Sequence, residues 1–282
     1  PGPAPSPRTA AVPAAALKDS SCPMTNHEPR LIRHPLVARM LQVLRSERLT
    51  PHMQRVVVGG DALHGFLSAA PDDHVKLFFP NRAGRIVMPT LGPDGPVFPE
   101  GEEPSPMRDY TPRRYDEARG ELTIDFVLHG DGPASSWAAQ AAPGQALGLG
   151  GPRGSMVVAA DFDAYVLAGD ETALPAIGRW LEEMPAGTRV EAFIELPSAD
   201  DRQALHTQAD VHIHWLERSG APGARLEAAV REHAPAAGDV YYWIATESRR
   251  ARALRRFLAE ERGIPKEWLK ATGYWKLDDS DD

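Results

Sequence analysis

The chain has 282 residues, 25% of them charged and 42% hydrophobic, with a formal net charge of -8 at neutral pH. That length and mixture suit a globular protein with material for one large or two ordinary cores, and exclude a fibrous or wholly disordered chain. The acidic balance argues against a general nucleic-acid binder, which needs surplus Lys and Arg to meet phosphates, and a single cysteine, Cys22, supplies neither an intramolecular disulfide nor a thiolate cluster.

Residues 1–28 are rich in Pro, Ala and Ser, with almost nothing bulky to bury, and are expected to form a disordered leader. The short apolar run at 10–17 is broken by Pro13 and lacks a basic stretch ahead of it, so it makes a poor signal peptide. Nowhere does the chain approach the ~20 apolar residues a spanning helix needs. The expectation is a cytoplasmic protein that does not enter a membrane, with a monomer as the default state. Four of the negative charges crowd into an acidic tail of the last five residues, which leaves room for a local basic pocket.

From residue 35 to about 158 the signals are those of strands. Runs at 37–43, 54–58, 74–79, 84–88 and 122–128 are β-branched or alternating, and clusters such as Leu91-Gly92-Pro93-Asp94-Gly95-Pro96 separate them. Short strands punctuated by turns imply an antiparallel barrel or sandwich. After Pro152-Arg153-Gly154 the pattern changes. A strand at 165–168 leads through a turn at Gly169-Asp170 to a helix at 174–184. Strands at 190–196 and 211–216, a helix at 224–233, a strand at 240–245 and a helix at 248–262 follow. Strands alternating with helices read as βαβ units on a parallel sheet. In such sheets ligands sit beyond the carboxyl ends of the strands. The loops Gly169-Asp170-Glu171-Thr172 and Ala245-Thr246-Glu247-Ser248 are therefore expected at the mouth.

The most informative segment is Arg108-Asp109-Tyr110-Thr111. On an extended chain Arg108 and Tyr110 share a face, so a guanidinium stands beside a flat phenol, suited to a pyrophosphate and an aromatic ring system. Next comes Asp125-Phe126-Val127-Leu128-His129-Gly130, then Asp131-Gly132-Pro133-Ala134-Ser135-Ser136-Trp137-Ala138, where small residues open a turn into a helix whose free N–H groups suit phosphate. Either segment alone reads equally as an edge strand or an ordinary capped helix.

Together, Arg-x-Tyr-Thr, Asp-Phe-Val-Leu-His-Gly, Gly-Pro-Ala-Ser-x-Trp-Ala and Gly-Pro-Arg-Gly-Ser resemble the siderophore-interacting protein family, FAD-containing ferric-siderophore reductases of the ferredoxin–NADP reductase superfamily. The resemblance runs on through Leu167-Ala168-Gly169-Asp170-Glu171-Thr172-Ala173-Leu174-Pro175 to Gly273-Tyr274-Trp275-Lys276, covering about residues 35–277. It implies an antiparallel six-stranded-type FAD-binding β-barrel over 29–158 and a Rossmann-like α/β nucleotide-binding domain over 159–282. It also implies roles. Arg108, Asp109, Tyr110 and Thr111 would hold the flavin phosphates and ring, with Tyr110 and Thr111 nearest the reactive atoms. Asp125, Val127, Leu128 and His129 would line the rest of FAD, and Ala134, Ser135, Ser136 and Trp137 its pyrophosphate and adenosine end. Tyr274 and Trp275 match an aromatic pair near the flavin's other face. For the nicotinamide nucleotide, Asp170, Glu171, Thr172, Glu247, Arg249 and Arg250 are the candidates. The loops carry no cysteine, which leaves NADPH, NADH and a reduced ferredoxin open as donors.

A ferric siderophore as substrate needs one-electron delivery from a two-electron donor, which is the work of a flavin. Many such chelates are anionic, and Lys76, Arg153 and Lys276 are the basic candidates to attract them, with Arg113 and Arg114 behind. His212 and His214 share a strand face, but with no carboxylate or cysteine at suitable spacing they, like His206, read as a polar surface. Two alternatives stay open: a flavin reductase with another acceptor, and a siderophore-binding protein without turnover.

Overall fold

The computed structural model describes residues 27–93 and 95–277; the leader up to residue 26 and the acidic tail 278–282 lie outside the described residues. His27, placed in the leader by composition, is buried: its ring stacks on Phe162 at 3.9 Å and bonds Asp161 and Asp239.

The first half is an antiparallel sheet of seven strands: β1 (Ala38–Thr50), β2 (Met53–Gly59), β3 (Val75–Phe78), β4 (Met107–Tyr110), β5 (Arg114–Asp116), β6 (Glu121–Val127) and β7 (Ala146–Gly150). Their order is β4-β3-β7-β1-β2-β6-β5. The sheet has seven strands where the resemblance implied a six-stranded type, and the short strands Arg114–Asp116 and Ala146–Gly150 were not among the runs read from the hydrophobic pattern. Period-two alternation puts Leu41 and Val43, Val56 and Val58, and Leu122, Ile124 and Phe126 inside, with Leu77, Leu147 and Leu149 facing them. The sheet curls until Tyr110 at one edge lies against Phe126 near the other, ring centroids 4.5 Å apart. The expected strand at 84–88 is absent. Asn81 accepts the Gly84 amide and donates to the Arg85 carbonyl, and Gly84 has φ 73°, so the segment opens with a tight turn. A helix, α1 (Pro133–Ala139), crosses between β6 and β7.

The second half is a parallel sheet of β8 (Ala164–Asp170), β9 (Arg189–Leu196), β10 (Asp210–Glu217), β11 (Val240–Glu247) and β12 (Leu269–Trp275), in the order β10-β9-β8-β11-β12. Helices α2 (Leu174–Glu183), α3 (Ala224–Glu232) and α4 (Ser248–Arg256) pack on it. The central strands β8 and β11 are buried along their whole length, as expected when both faces are covered. Gly169 and Asp170, expected in a turn, are the last residues of β8. A Cβ on Gly169 would stand 2.4 Å from the Ala173 Cβ and 2.9 Å from the Ala245 carbonyl oxygen, so only glycine lets α2 start so close to the sheet. At the end of β9, fully buried Glu195 accepts the Gly223 and Leu226 amides, 2.7 and 3.0 Å, and so caps α3.

Polar ties join the halves. Arg113 binds Glu182 of α2 through both nitrogens, and Arg179 of α2 donates to Ser68 and to the Pro112 carbonyl. Asp201 accepts from Thr50 and His52, and Asp72 accepts the Trp243 indole N–H at 2.9 Å. No helix among the described residues is long and apolar enough to cross a membrane.

Candidate functional site

A cleft of about 640 Å³ opens between the curled sheet and the carboxyl ends of β8 and β12. Its first wall is β4 and the segment beyond it, with Arg108, Asp109, Tyr110 and Thr111 in sequence; Asp125 and Val127 of β6 and His129 continue it. The start of α1, Gly132 to Ser135, closes one end. The far wall is Thr172 and Pro175 ahead of and within α2, then Lys270 and Thr272 to Lys276 along and beyond β12.

Arg108 and Tyr110 share the cleft face as strand alternation predicts, while Asp109 turns to Lys76, 2.8 Å away. The Tyr110 phenol lies deep against Phe126, and burial pushes its pKa well above the usual range. Thr111 is buried and lines the cleft with Tyr274. Burial likewise holds the Tyr274 phenol far above its ordinary pKa, so both hydroxyls stay protonated at any working pH. Asp125 is fully engaged with Arg55, at 2.7 and 2.8 Å, and offers the cleft a neutralised edge. Ser135 turns its hydroxyl back to accept the His129 amide, fixing the 129–135 loop. No side chain caps α1 and Pro133 has no N–H, so the amides of Ala134 and Ser135 are the donors this end presents.

Several expected residues stand elsewhere. Leu128 and Trp137 pack on the barrel core, Trp137 edge-on to Phe79, and Ser136 continues the helix by donating to Gly132. Lys76 and Arg153 are exposed and do not line the cleft. Of the nucleotide candidates only Thr172 lines it. Asp170 is fully buried and accepts the Thr172 amide and hydroxyl through Oδ1, and the Thr246 hydroxyl and Trp275 indole N–H through Oδ2. Glu171 binds Arg218; burial, with Asp170 next to it, raises its pKa. Glu247 caps α4 through the Arg249 and Arg250 amides, and Arg250 reaches Glu227 at 2.8 Å. Ala251, Leu254 and Leu258 form the buried stripe of the helix, and Arg249 stays on its exposed side.

Cleft residues that escaped the sequence include Asp72, His74, Lys270 and Thr272. Asp72 takes the Lys270 ammonium at 2.5 Å and the Trp243 N–H together, a junction of loop and two strands with no pattern in the chain. With Asp72, Asp109 and Asp125 all matched to cations, Arg108 and Lys276 are the cleft's uncompensated positive charges among the described residues.

A curled antiparallel sheet and a parallel α/β sheet, meeting at a cleft where strand ends face a helix start, make a two-part fold of the ferredoxin–NADP reductase type. Two family profiles match in tandem, a siderophore-interacting FAD-binding domain over residues 42–156 and a siderophore-interacting protein domain over 162–278. The chain belongs to the siderophore-interacting protein family. It is 39% identical over 255 residues to the NADPH-dependent ferric-chelate reductase of Escherichia coli (strain K12), covering 89% of this chain and 98% of that protein. It is 34% identical over 243 residues to the ferric vibriobactin reductase ViuB of Vibrio cholerae, covering 84% and 89%. A siderophore utilization protein from T. fusca superposes with a TM-score of 0.82 at 39% identity, covering 90% of this chain and 99% of that one. The cleft fits FAD on its own chemistry: a guanidinium and helix amides for phosphates, half-buried aromatic rings and protonated hydroxyls for a flat heterocycle.

Proposed function

We propose that the protein is an FAD-dependent ferric-siderophore reductase of the cytoplasm that takes electrons from NADPH and releases siderophore iron as Fe(II). The observation that carries this reading is the convergence of Arg108, Tyr110 and Thr111 with Tyr274, Trp275 and Lys276 in one cleft, from opposite ends of the fold. The likeness to the Escherichia coli and Vibrio cholerae reductases supports the substrate class and, from the former's name, NADPH as donor.

Bound FAD would supply the redox chemistry that joins a two-electron donor to a one-electron acceptor. The remaining work falls to the chain. Arg108 and the Ala134 and Ser135 amides hold phosphates by charge-assisted and helix-end bonds. Tyr110 and Tyr274, protonated rather than charged, would keep the ring pocket neutral, with the Thr111 hydroxyl beside Tyr274. Trp275 is oriented by Asp170. Lys276, with Arg108 beyond the phosphates, draws an anionic chelate to the mouth. Asp170, Glu171, Glu247 and Arg250 act on the nucleotide only through the loops they hold.

The test has two parts. The purified, dialysed protein should show flavin absorption and release FAD, not FMN, on denaturation. Reduced by NADPH, it should be reoxidised by a ferric siderophore with Fe(II) appearing in a chelator trap. A colourless protein that stays colourless with added FAD, or reoxidation no faster than in buffer, overturns the proposal.

A further inference from the structure

Away from the cleft, three side chains that the proposed reaction does not use converge on the α3 face of the parallel sheet. In the β9–β10 register Glu191 stands beside His212 and Phe193 beside His214. Val211, Ile213 and Trp215, the alternate residues of β10, pack into the core on the other face. Glu191 Oε2 lies 2.7 Å from His214 Nε2 and 3.5 Å from His212 Nδ1, and the two imidazole rings are 4.2 Å apart. One ligand atom from each residue falls within 4.8 Å of the other two. Phe193 stacks on His214 at 4.4 Å and 5°, which holds that ring in place. β10 is the outer strand, and the His212 side chain is 70% exposed, so the group opens to solvent.

We infer that Glu191, His212 and His214 form a binding site for a divalent first-row transition ion such as Zn(II). Two imidazoles and one carboxylate are the donor set such ions favour. Imidazole nitrogen and carboxylate oxygen bind zinc at about 2.0–2.2 Å, so atoms sharing one ion sit roughly 3–3.5 Å apart. The 3.5 Å contact is already in that range, and the 2.7 Å hydrogen bond between Glu191 and His214 needs to open by only a few tenths of an ångström as the ion replaces its proton. Three protein ligands leave a fourth position for water. The carboxylate that sequence spacing failed to supply comes from the neighbouring strand. Glu191 lies in the amino-terminal part of β9, whereas the cleft takes the carboxyl ends of the sheet, so this site stands apart from the flavin and does not rest on the reductase reading.

The experiment uses the full-length, tag-free holoprotein, titrated with Zn(II) by calorimetry and with Co(II) by visible difference spectra. One equivalent should bind per chain. Glu191→Gln and His214→Gln should each weaken binding by more than the roughly 10–100-fold lost with an outer-shell partner. Flavin absorbance and the ion-free melting temperature report that these variants fold, and His212→Gln, at the exposed position, gives the same loss without touching packing. Absence of binding at one equivalent in the wild type overturns the site, as does undiminished binding in both histidine variants, which would place the ion elsewhere.

Discussion

Replacing Asp170 by Asn tests whether one buried carboxylate sets the cleft's far wall. The two oxygens serve different donors: Oδ1 takes the Thr172 amide at 2.9 Å and its hydroxyl, and Oδ2 takes the Thr246 hydroxyl at 2.8 Å and the Trp275 Nε1 at 2.9 Å. An asparagine keeps its oxygen toward Thr172, whose amide can only donate, so its NH2 faces Thr246 and Trp275. The threonine hydroxyl can rotate to accept; the indole N–H cannot. One charge-assisted bond is therefore lost outright and its donor opposed, while the others weaken. At about 1.5–3 kcal/mol for a bond to a charged group, partly offset because half-exposed Trp275 can turn to water, the cost is about 2–3 kcal/mol. At 2–4 °C per kcal/mol for units of this size, the melting temperature should fall by roughly 4–12 °C. Urea denaturation followed by tryptophan fluorescence reads both the stability and the release of the indole, and dialysis reads weaker FAD retention. A variant within about 0.5 kcal/mol of the wild type, with unchanged FAD affinity, would refute the argument that Asp170 organises the wall.

Arg108→Ala should weaken FAD binding by roughly 10- to 150-fold, the worth of one charge-assisted phosphate contact, measured by flavin release on dialysis. Lys276→Ala should raise the Michaelis constant for an anionic ferric chelate about two- to five-fold, whereas Lys76→Ala, whose ammonium is held by Asp109 outside the cleft, should leave it unchanged. Gly178→Ala would put a methyl 3.0 Å from Arg113 Nη2 and 3.2 Å from its Cζ, so the guanidinium must shift by a few tenths of an ångström; that cost offsets the ~1 kcal/mol alanine gains inside a helix, and thermal melts should show no net stabilisation. The Arg113 hydrogen bonds hold the Glu182 carboxyl below the usual range, so the pair's contribution is present above the ordinary carboxylate pKa and is lost as pH falls through the depressed value. Glu182→Gln should accordingly flatten the acid limb of a stability–pH curve.

The chain order of strands and helices was legible because the residues that bury themselves repeat at the right period. Val56, Val58, Leu122, Ile124 and Phe126 alternate, and β8 and β11 are nearly continuous apolar runs between turns. β12 escaped the reading because Lys270, Thr272 and Gly273 interrupt its pattern: it is an edge strand with one neighbour, and most of its residues line the cleft. The Arg108–Thr111 wall was readable because it is contiguous in sequence. Asp72 and Lys270, about two hundred residues apart, meet only through tertiary contact. For the same reason Asp170, Glu171 and Glu247 looked like nucleotide ligands. Acidic residues at strand ends suit that role, but here the backbone amides and arginines around them are nearer, and a buried carboxylate must satisfy those first.

Glu195 also bears on the order in which the chain can settle. α3 spans nine residues, opens at Gly223 in the left-handed region and has no side-chain cap from its own start, so alone it is too short to persist. Its first amides find their acceptor on a strand 28 residues earlier. α4 differs, since Glu247 caps it from the adjoining position. α4, equally short, also needs the sheet to persist, but its first turn can be capped locally, whereas that of α3 must wait until β9 has docked and brought its carboxylate into place. Hydrogen exchange at the Gly223 and Leu226 amides would then follow the opening of β9 rather than the fraying of α3, and so report on the sheet from a helix.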